Sequence, residues 1–221
     1  MISLIEALNY RCLRYVRQPL GPFHVMVGPN ASGKTSFLDV PAFLRDLVTR
    51  GLLDAVFSRT RNFSDLVWQG EDAGFELAIE VGIPDRIVKS LVDARGYDTV
   101  RYELAVRLDS DSKAIAIVGE QGILETRRPE PPPERPLFPE LRDRPATLLT
   151  TRSARGTRTL FRKTPDGNDN YYAEARPKEG RWRPSFKLKS TLQRWSRPID
   201  RSAASSPARW WLAIQGLQTP R

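Results

Sequence analysis

The sequence predicts an α/β protein in which a mixed, partly antiparallel sheet surrounds one major helix. Three observations support this class: an apolar run at residues 23–27 leads through a glycine-rich stretch into a helical pattern, two later segments alternate apolar and polar residues, and a basic final third resumes the alternation. We expect a first unit at residues 1–127, a proline-rich linker or loop at 128–146 and a basic, β-rich segment at 147–221.

The first unit is predicted to open with two strands and a helix. Residues 2–8 form a short apolar run, and residues 23–27 form another that Gly-Pro pairs bound on both sides, which favours a buried strand. The helix is predicted over residues 33–50, where apolar residues recur at helical spacing: Phe37, Leu38, Phe43, Leu44 and Leu47.

Alternating apolar residues predict strands at 74–83, 99–108 and 114–118, paired as a meander. A short helix is expected to start at Pro84. Residues 128–145 contain seven prolines, which indicates a polyproline-type linker or surface loop, with a proline-rich ligand for another domain as the alternative. After the linker, residues 157–164 and 170–176 flank a Pro-Asp-Gly-Asn turn and predict a β-hairpin.

Composition narrows the class of protein. No apolar stretch approaches the roughly 20 residues that span a bilayer, and the N-terminus lacks the features of a secretory signal. Cys12 is the only cysteine and His24 the only histidine, which argues against an internal disulfide, a zinc site and His-based nucleophilic chemistry. We therefore expect a cytoplasmic protein that makes no membrane contact.

The charge is concentrated in the C-terminal part. Residues 141–221 carry 18 Lys and Arg against 6 Asp and Glu, whereas residues 1–140 carry 17 against 20. Such a basic half favours an acidic partner such as nucleic acid. An arginine-rich genome that places Arg on solvated faces explains the same counts equally well, since the arginines are scattered.

Residues 28–35 read GPNASGKT and match the phosphate-binding loop pattern G-x-x-x-x-G-K-[ST] in full. Glycines let backbone N–H groups surround a β-phosphate at a helix N-terminus. The cofactor-binding residues predicted from this loop are Gly28, Pro29, Asn30, Ala31, Ser32, Gly33, Lys34, Thr35 and Ser36. Lys34 is the predicted catalytic residue that reaches the β- and γ-phosphates, and the Thr35 hydroxyl is the predicted Mg²⁺ ligand. A glycine-rich strand-to-helix turn without a ligand is the alternative.

This loop, with Asn30 inside it, resembles that of RecF/SMC-type ABC ATPases, a group also named AAA family ATPases. An Asn-Tyr-Arg stretch at residues 9–11, ahead of the loop, is similar to the opening of the same group. The resemblance covers residues 1–50 and implies an ATP-binding head lobe, ATP and Mg²⁺ as cofactors, and head-to-head dimerisation in DNA repair or anti-phage defence. It also implies that Arg14 lies near the adenine or ribose.

The sequence departs from that family in its second half. No Asp-Glu pair occurs in the 221 residues, so a Walker B strand is missing, and neither a signature motif nor a switch histidine is present. We expect His24 to be a buried core residue. The chain thus resembles the N-terminal lobe alone, weak or inactive in hydrolysis, with a homodimer or a separate chain supplying the remainder, or else a truncated gene product. A small kinase or GTPase fits less well, because no N-K-x-D motif is present.

Two further groups of residues are weaker candidates. Gln69 follows Lys34 by 35 residues and could act as a Q-loop glutamine, although a sheet edge is the simpler interpretation. Aromatic and basic residues interleave near residue 180 and suit base stacking and phosphate contact, with packing inside a β-rich segment as the favoured alternative: Tyr171, Tyr172, Arg176, Lys178, Arg181, Trp182, Arg183, Phe186, Lys187 and Lys189. A basic nucleic-acid-binding module with a vestigial loop is therefore the alternative function.

Overall fold

A computed structural model describes residues 1–70, 73–88, 96–109, 112–126, 143–150, 156–163, 169–172 and 184–188. Its main element is one eight-stranded sheet. The strands are β1 (Ile2–Tyr10), β2 (Leu13–Pro19), β3 (Gly74–Gly82), β4 (Thr99–Leu108), β5 (Ile115–Glu125), β6 (Thr157–Lys163), β7 (Asp169–Tyr172) and β8 (Pro184–Leu188).

The strands lie in the order β2-β1-β3-β4-β5-β6-β7-β8, and every pairing between them is antiparallel. The prediction of a mixed sheet is therefore wrong for the described residues. Short connections explain part of the result: β1 reaches β2 through two residues and β4 reaches β5 through six, whereas parallel neighbours need a crossover of about a dozen residues or more.

The longest helix, α1 (Lys34–Arg50), packs against one face of the sheet. It is followed by α2 (Leu52–Phe57), two 3-10 helices (Phe63–Leu66 and Trp68–Gly70) and α3 (Asp85–Val88). Helix α1 continues through Pro41, which lacks the N–H that would bond within the helix. We attribute its persistence to burial of Phe37, Val40, Phe43 and Leu44 on either side of the proline. No helix in the described ranges combines the length and apolarity needed to cross a membrane.

Aromatic rings form the centre of the core between α1 and the sheet. Tyr10, Phe43 and Phe75 are buried, and their ring centroids lie 4.9 to 5.9 Å apart in edge-to-face arrangements. Such pairs add stabilisation beyond the area they bury. Because Tyr10 ends β1 and Phe43 lies in the middle of α1, this cluster fixes the helix relative to the end of the strand.

Residues 147–150 lie across the opposite face of the sheet and are held by two buried glutamates. Glu76 accepts hydrogen bonds from the Thr147 hydroxyl and from Leu148 N, at 2.8 and 2.6 Å. Glu103 accepts from Thr150 N and Oγ1, at 2.7 and 2.5 Å. The chain that follows the predicted linker therefore returns over the sheet before entering β6.

Several predicted elements are confirmed. Strands at 2–8, 74–83 and 99–108 correspond to β1, β3 and β4, and the helix at 33–50 corresponds to α1. The strand at 114–118 is longer than predicted, because β5 continues to Glu125. The predicted hairpin is present as β6 paired with β7, extended by β8. The helix after Pro84 is described only as α3, and residues 127–142, most of the predicted linker, lie outside the described residues.

The predicted buried strand at residues 23–27 is wrong. These residues have no regular secondary structure, and Phe23, Val25 and Val27 are 83, 68 and 90% exposed. His24 is exposed instead of buried, and its Nε2 accepts a hydrogen bond from Gly21 N at 2.5 Å. The physical reason is that no described strand lies beside them to cover their side chains or pair with their backbone. The division of the chain into three parts stays a prediction.

Candidate phosphate-binding site

The predicted phosphate loop connects residues 23–27 to α1 and lies at the surface. Ala31 and Gly33 have left-handed backbone conformations, with φ of 63° and 89°. Left-handed residues within a turn bring successive N–H groups to one side and form a concave anion-binding surface. Gly33 combines this φ with a close contact, because a Cβ there would lie 3.1 Å from Leu13 Cδ2.

The N-terminus of α1 opens onto the loop with its backbone donors available. Gly33 is the N-cap, and no side-chain hydrogen bond caps the helix. Intrahelical bonding starts with Phe37 N, which donates to Gly33 O at 2.9 Å. The N–H groups of Lys34, Thr35 and Ser36 therefore have no acceptor within the helix, and the helix dipole adds positive potential at the same place. This arrangement fits a phosphate group.

The Lys34 side chain folds back over the loop. Its Nζ donates to Gly28 O at 2.7 Å, to Pro29 O at 2.5 Å and to Ser32 Oγ at 3.2 Å. The ammonium group is thus held by oxygens of the loop itself, at the surface of the protein. A bound phosphate would meet this positive charge together with the N–H groups of the helix start.

Thr35 is exposed at the helix start, where its hydroxyl is available to a metal ion. Among the described residues, no group of three or more His, Cys, Asp or Glu side chains is arranged to hold a metal. An Mg²⁺ ion at this position would have Thr35 as a protein ligand, with phosphate and water oxygens as further ligands.

A contact across the loop joins the β1–β2 turn to the helix start. Cys12 Sγ donates to Ser36 Oγ at 3.1 Å, and it also lies 3.4 Å from where a Gly33 Cβ would be. The turn residues therefore form one wall of the loop. No local sequence pattern relates position 12 to position 36, so this role of Cys12 is apparent only from the structure.

Asp39, one turn beyond the loop, is the acceptor that connects α1 to its surroundings. It accepts hydrogen bonds from Tyr10 Oη at 2.6 Å, from Arg11 Nη1 at 2.9 Å and from Arg59 Nε at 2.9 Å. Arg59 also contacts Asp46 at 3.0 Å and lies 5.1 Å above the Phe43 ring. Asp39 and Arg59 meet only through the tertiary structure, so no local sequence pattern points to either of them.

The contacts in this network shift the pKa values of its residues so that Arg59 and Asp46 stay charged and Tyr10 stays neutral. Burial, reinforced by Asp39, raises the pKa of Tyr10 far above its ordinary value, so the phenol stays protonated. Burial acts to lower the pKa of Arg59, but the adjacent Asp39 carboxylate outweighs it and raises the pKa. Burial likewise acts to raise the pKa of Asp46, yet hydrogen bonds from Arg45 and Arg59 lower it.

Arg14 and Gln69 lie at the same corner of the fold as the loop. Val67 bridges to Tyr10, and Arg11 N donates to Leu66 O at 2.9 Å, which places the second 3-10 helix beside the β1–β2 turn. The Arg14 guanidinium lies 5.4 Å from the centroid of the Trp68 ring. Gln69 is exposed, with a left-handed φ of 53°. No motif in the sequence marks Trp68, whose position beside Arg14 is apparent only from the structure.

The predicted aromatic and basic set near residue 180 is not tested by the structure. Arg176, Lys178, Arg181, Trp182, Arg183 and Lys189 lie outside the described residues. Tyr171 and Tyr172 belong to β7 and Phe186 and Lys187 to β8, where the backbone pairing is described. A nucleic-acid interface there stays a prediction.

Comparisons with known proteins give distant similarities. No protein-family model matches the chain. Over 38 residues the chain is 45% identical to the OLD nuclease of Thermus scotoductus, a match that covers 17% of this chain and only 7% of the nuclease. A solved chain from a study of ATP-driven dimerization and DNA-stimulated activation of SMC ATPases is 24% identical, with a TM-score of 0.35, over 57% of this chain and 70% of that one. A TM-score of this size does not establish a shared fold.

Proposed function

We propose that this chain binds Mg-ATP through residues 28–36 and is the nucleotide-binding lobe of a RecF/SMC-like ATPase that acts in the cytoplasm in DNA repair or anti-phage defence. One observation carries the proposal: the uncapped N-terminus of α1 meets a loop with left-handed Ala31 and Gly33, and Lys34 lies over the same loop. Backbone donors, a helix dipole and an ammonium group together suit a polyphosphate.

The loop residues divide the binding of the nucleotide among them. The N–H groups of residues 33–36 hold phosphate oxygens, and Lys34 exchanges its loop carbonyls for the β- and γ-phosphates. The Thr35 hydroxyl binds Mg²⁺, which neutralises phosphate charge when it is present. The contact of Cys12 with Ser36 and the bonds of Asp39 keep the helix start in position while these groups bind.

Arg14 and Trp68 form the wall that meets the base or the ribose. Trp68 is half-buried beside the β1–β2 turn, and its ring is already in cation–π contact with Arg14. A flat surface built from an indole and a guanidinium suits a purine ring. The β1–β2 hairpin carries Arg14 in β2 and also touches the loop through Cys12 and Leu13, so base and phosphate contacts share one support.

Hydrolysis by this chain alone is expected to be weak. The sequence has no Asp-Glu pair to assist Mg²⁺ and position water, and positioning of this kind supplies most of the rate in phosphoryl transfer. The remaining half of a composite site would come from a second copy or from a separate chain. The local similarity to a nuclease is consistent with a function on nucleic acid.

The test compares Lys34→Ala with Lys113→Ala, which removes an exposed lysine far along the chain in the β4–β5 connection. Fluorescent ATP is titrated in the presence of Mg²⁺, with thermal shift and phosphate release measured alongside. We expect saturable binding that Lys34→Ala weakens about tenfold to a hundredfold, the range for hydrogen bonds to a charged group. Lys113→Ala should bind as the wild type does. Equal binding by all three proteins would contradict the assignment of Lys34.

The alternative is a basic nucleic-acid-binding module with a vestigial loop, favoured by the 18 basic against 6 acidic residues in 141–221. It predicts that wild type and Lys34→Ala bind DNA equally, with affinity falling steeply as salt rises, and that neither binds ATP. ATP binding that depends on Lys34 would exclude the vestigial loop.

A further inference from the structure

Residues 23–27 expose an apolar surface that a folded chain rarely leaves in water. Phe23, Val25 and Val27 are 83, 68 and 90% exposed, and Met26 is 40% exposed. Residues that alternate along a chain share one side when the chain is extended. The most exposed side chains, at positions 23, 25 and 27, would therefore form one uncovered apolar face.

The backbone of this segment is also unpaired within the described part of the chain. The flanking hydrogen bonds are Leu20 N to Ser3 O and Ser32 N to Pro29 O, and no backbone hydrogen bond of the described residues involves 23–27. A segment with free N–H and C=O groups and apolar side chains has the requirements for pairing with an added β-strand.

The chain itself contains a segment of matching length and character. Residues 210–214 read WWLAI, and they are the one run of more than two consecutive apolar residues in the sequence beyond the described ranges. Trp210, Leu212 and Ile214 alternate with Trp211 and Ala213. A strand apolar on both sides is typical of one buried on both faces. Residues 23–27 have the same character except at His24.

The connection is long enough for the two segments to meet. Strand β8 ends at Leu188, so 21 residues precede Trp210, and they span up to about 70 Å when extended. Strands β8 and β2 lie at opposite edges of the sheet, seven strand spacings or about 34 Å apart. Residues 23–27 follow β2 closely, within reach of this connection.

We propose that residues 210–214 of the same chain pair with residues 23–27 as an added β-strand and cover the apolar face of Phe23, Val25 and Val27. The pairing holds the segment that leads directly into the phosphate loop. A strand from a second chain would have to displace residues 210–214 to reach the same edge. The proposal does not depend on nucleotide binding.

Hydrogen exchange of the full chain, without nucleotide, tests the pairing. Amides within 23–27 should exchange at least about tenfold more slowly than expected for an exposed segment. Leu212→Asp should remove this protection, because a carboxylate cannot enter an apolar pairing. Leu217→Asp, a matched change of an apolar residue beyond the run, should leave it intact. Val25→Asp should reciprocally deprotect 210–214, and amides of β4 report that the fold persists in every variant.

Each outcome decides for or against the proposal. Protection of 23–27 that is lost in Leu212→Asp and kept in Leu217→Asp, in a monomer at low concentration, supports it. Unprotected amides in the wild type would overturn it, as would protection that survives Leu212→Asp. Protection that appears only as a dimer forms, measured by light scattering at increasing concentration, would assign the edge to a second copy and would also overturn it.

Discussion

Replacing Asp39 with Asn tests whether tertiary contacts hold the start of α1 in position. The carboxylate accepts from Tyr10, Arg11 and Arg59, and the side chains of Asp39 and Arg59 are only 15 and 9% exposed. An Asn side chain has the same shape but no charge, and its NH₂ group turns a donor toward donors that already converge there. The Arg59 guanidinium would be left without its main counter-charge.

The expected loss is about 2–3 kcal/mol of unfolding free energy. Breaking a fully buried ion pair costs about 3–5 kcal/mol, and the partial exposure of both side chains and the oxygen retained in Asn reduce this. For a domain stabilised by roughly 5–15 kcal/mol, such a loss is readily measured. Tyr10→Phe removes one hydrogen bond and keeps the ring, so it should lose about 1–2 kcal/mol.

Urea unfolding followed by circular dichroism gives these free energies. Asp54→Asn is the matched control, since this side chain is exposed on α2, and it should change stability by less than about 0.5 kcal/mol. If Asp39→Asn falls within the range of Asp54→Asn, the network does not hold the helix and the reasoning fails. A loss of stability with unchanged affinity for fluorescent ATP would show that the network supports the fold and not the loop.

Two further predictions concern the glutamates of the sheet. Burial, reinforced by Glu80, raises the pKa of Glu125 from 4.5 to about 7, so the stability that its proton provides is full at low pH and is lost as pH rises through about 7. The unfolding free energy of Glu125→Gln, measured with urea and compared with that of the wild type, should therefore rise by about 1 kcal/mol from about pH 5 to about pH 8, with the partial exposure of this side chain allowed for. An equal difference between the two proteins at both pH values would contradict this. Glu103→Gln loses the ion pair with Arg101 and one acceptor for residue Thr150, so it should lose about 2–4 kcal/mol and speed hydrogen exchange of the Thr150 amide. Faster exchange without loss of stability would mean that residues 147–150 do not contribute to the sheet.

The parts of the fold that sequence predicted well are those where burial imposes a simple period. In β3, Phe75, Leu77 and Ile79 face α1, while Glu76 and Glu80 face the other side, so alternation alone located the strand. The same holds for α1, whose buried residues follow the helical spacing. In each case one face is apolar, so the spacing of the apolar residues along the sequence is enough to predict the element.

The missed elements lack such a face or depend on distant partners. Strand β2 reads LRYVRQP, is mostly half-buried, and lies at the sheet edge, so its pattern resembles a polar loop. Residues 147–150 are held by Glu76 and Glu103, and no local signal relates a threonine in this stretch to glutamates more than 40 residues away. Their position follows from long-range hydrogen bonding, which sequence periods do not encode.

The phosphate loop could be predicted from local sequence, whereas the structure of residues 23–27 before it could not. The spacing from Gly28 to Thr35 is local, and the left-handed Gly33 and the helix that begins at Lys34 follow from it. The strand expected before the loop depends on distant parts of the chain, because a mainly apolar run of five residues forms a buried strand only when neighbours cover both faces and pair with both edges. The sequence of residues 23–27 shows that apolar side chains must be covered, but it does not show which segment covers them. Phe23, Val25 and Val27 are the most exposed large apolar side chains among the described residues, so this segment requires a partner that the sheet does not provide.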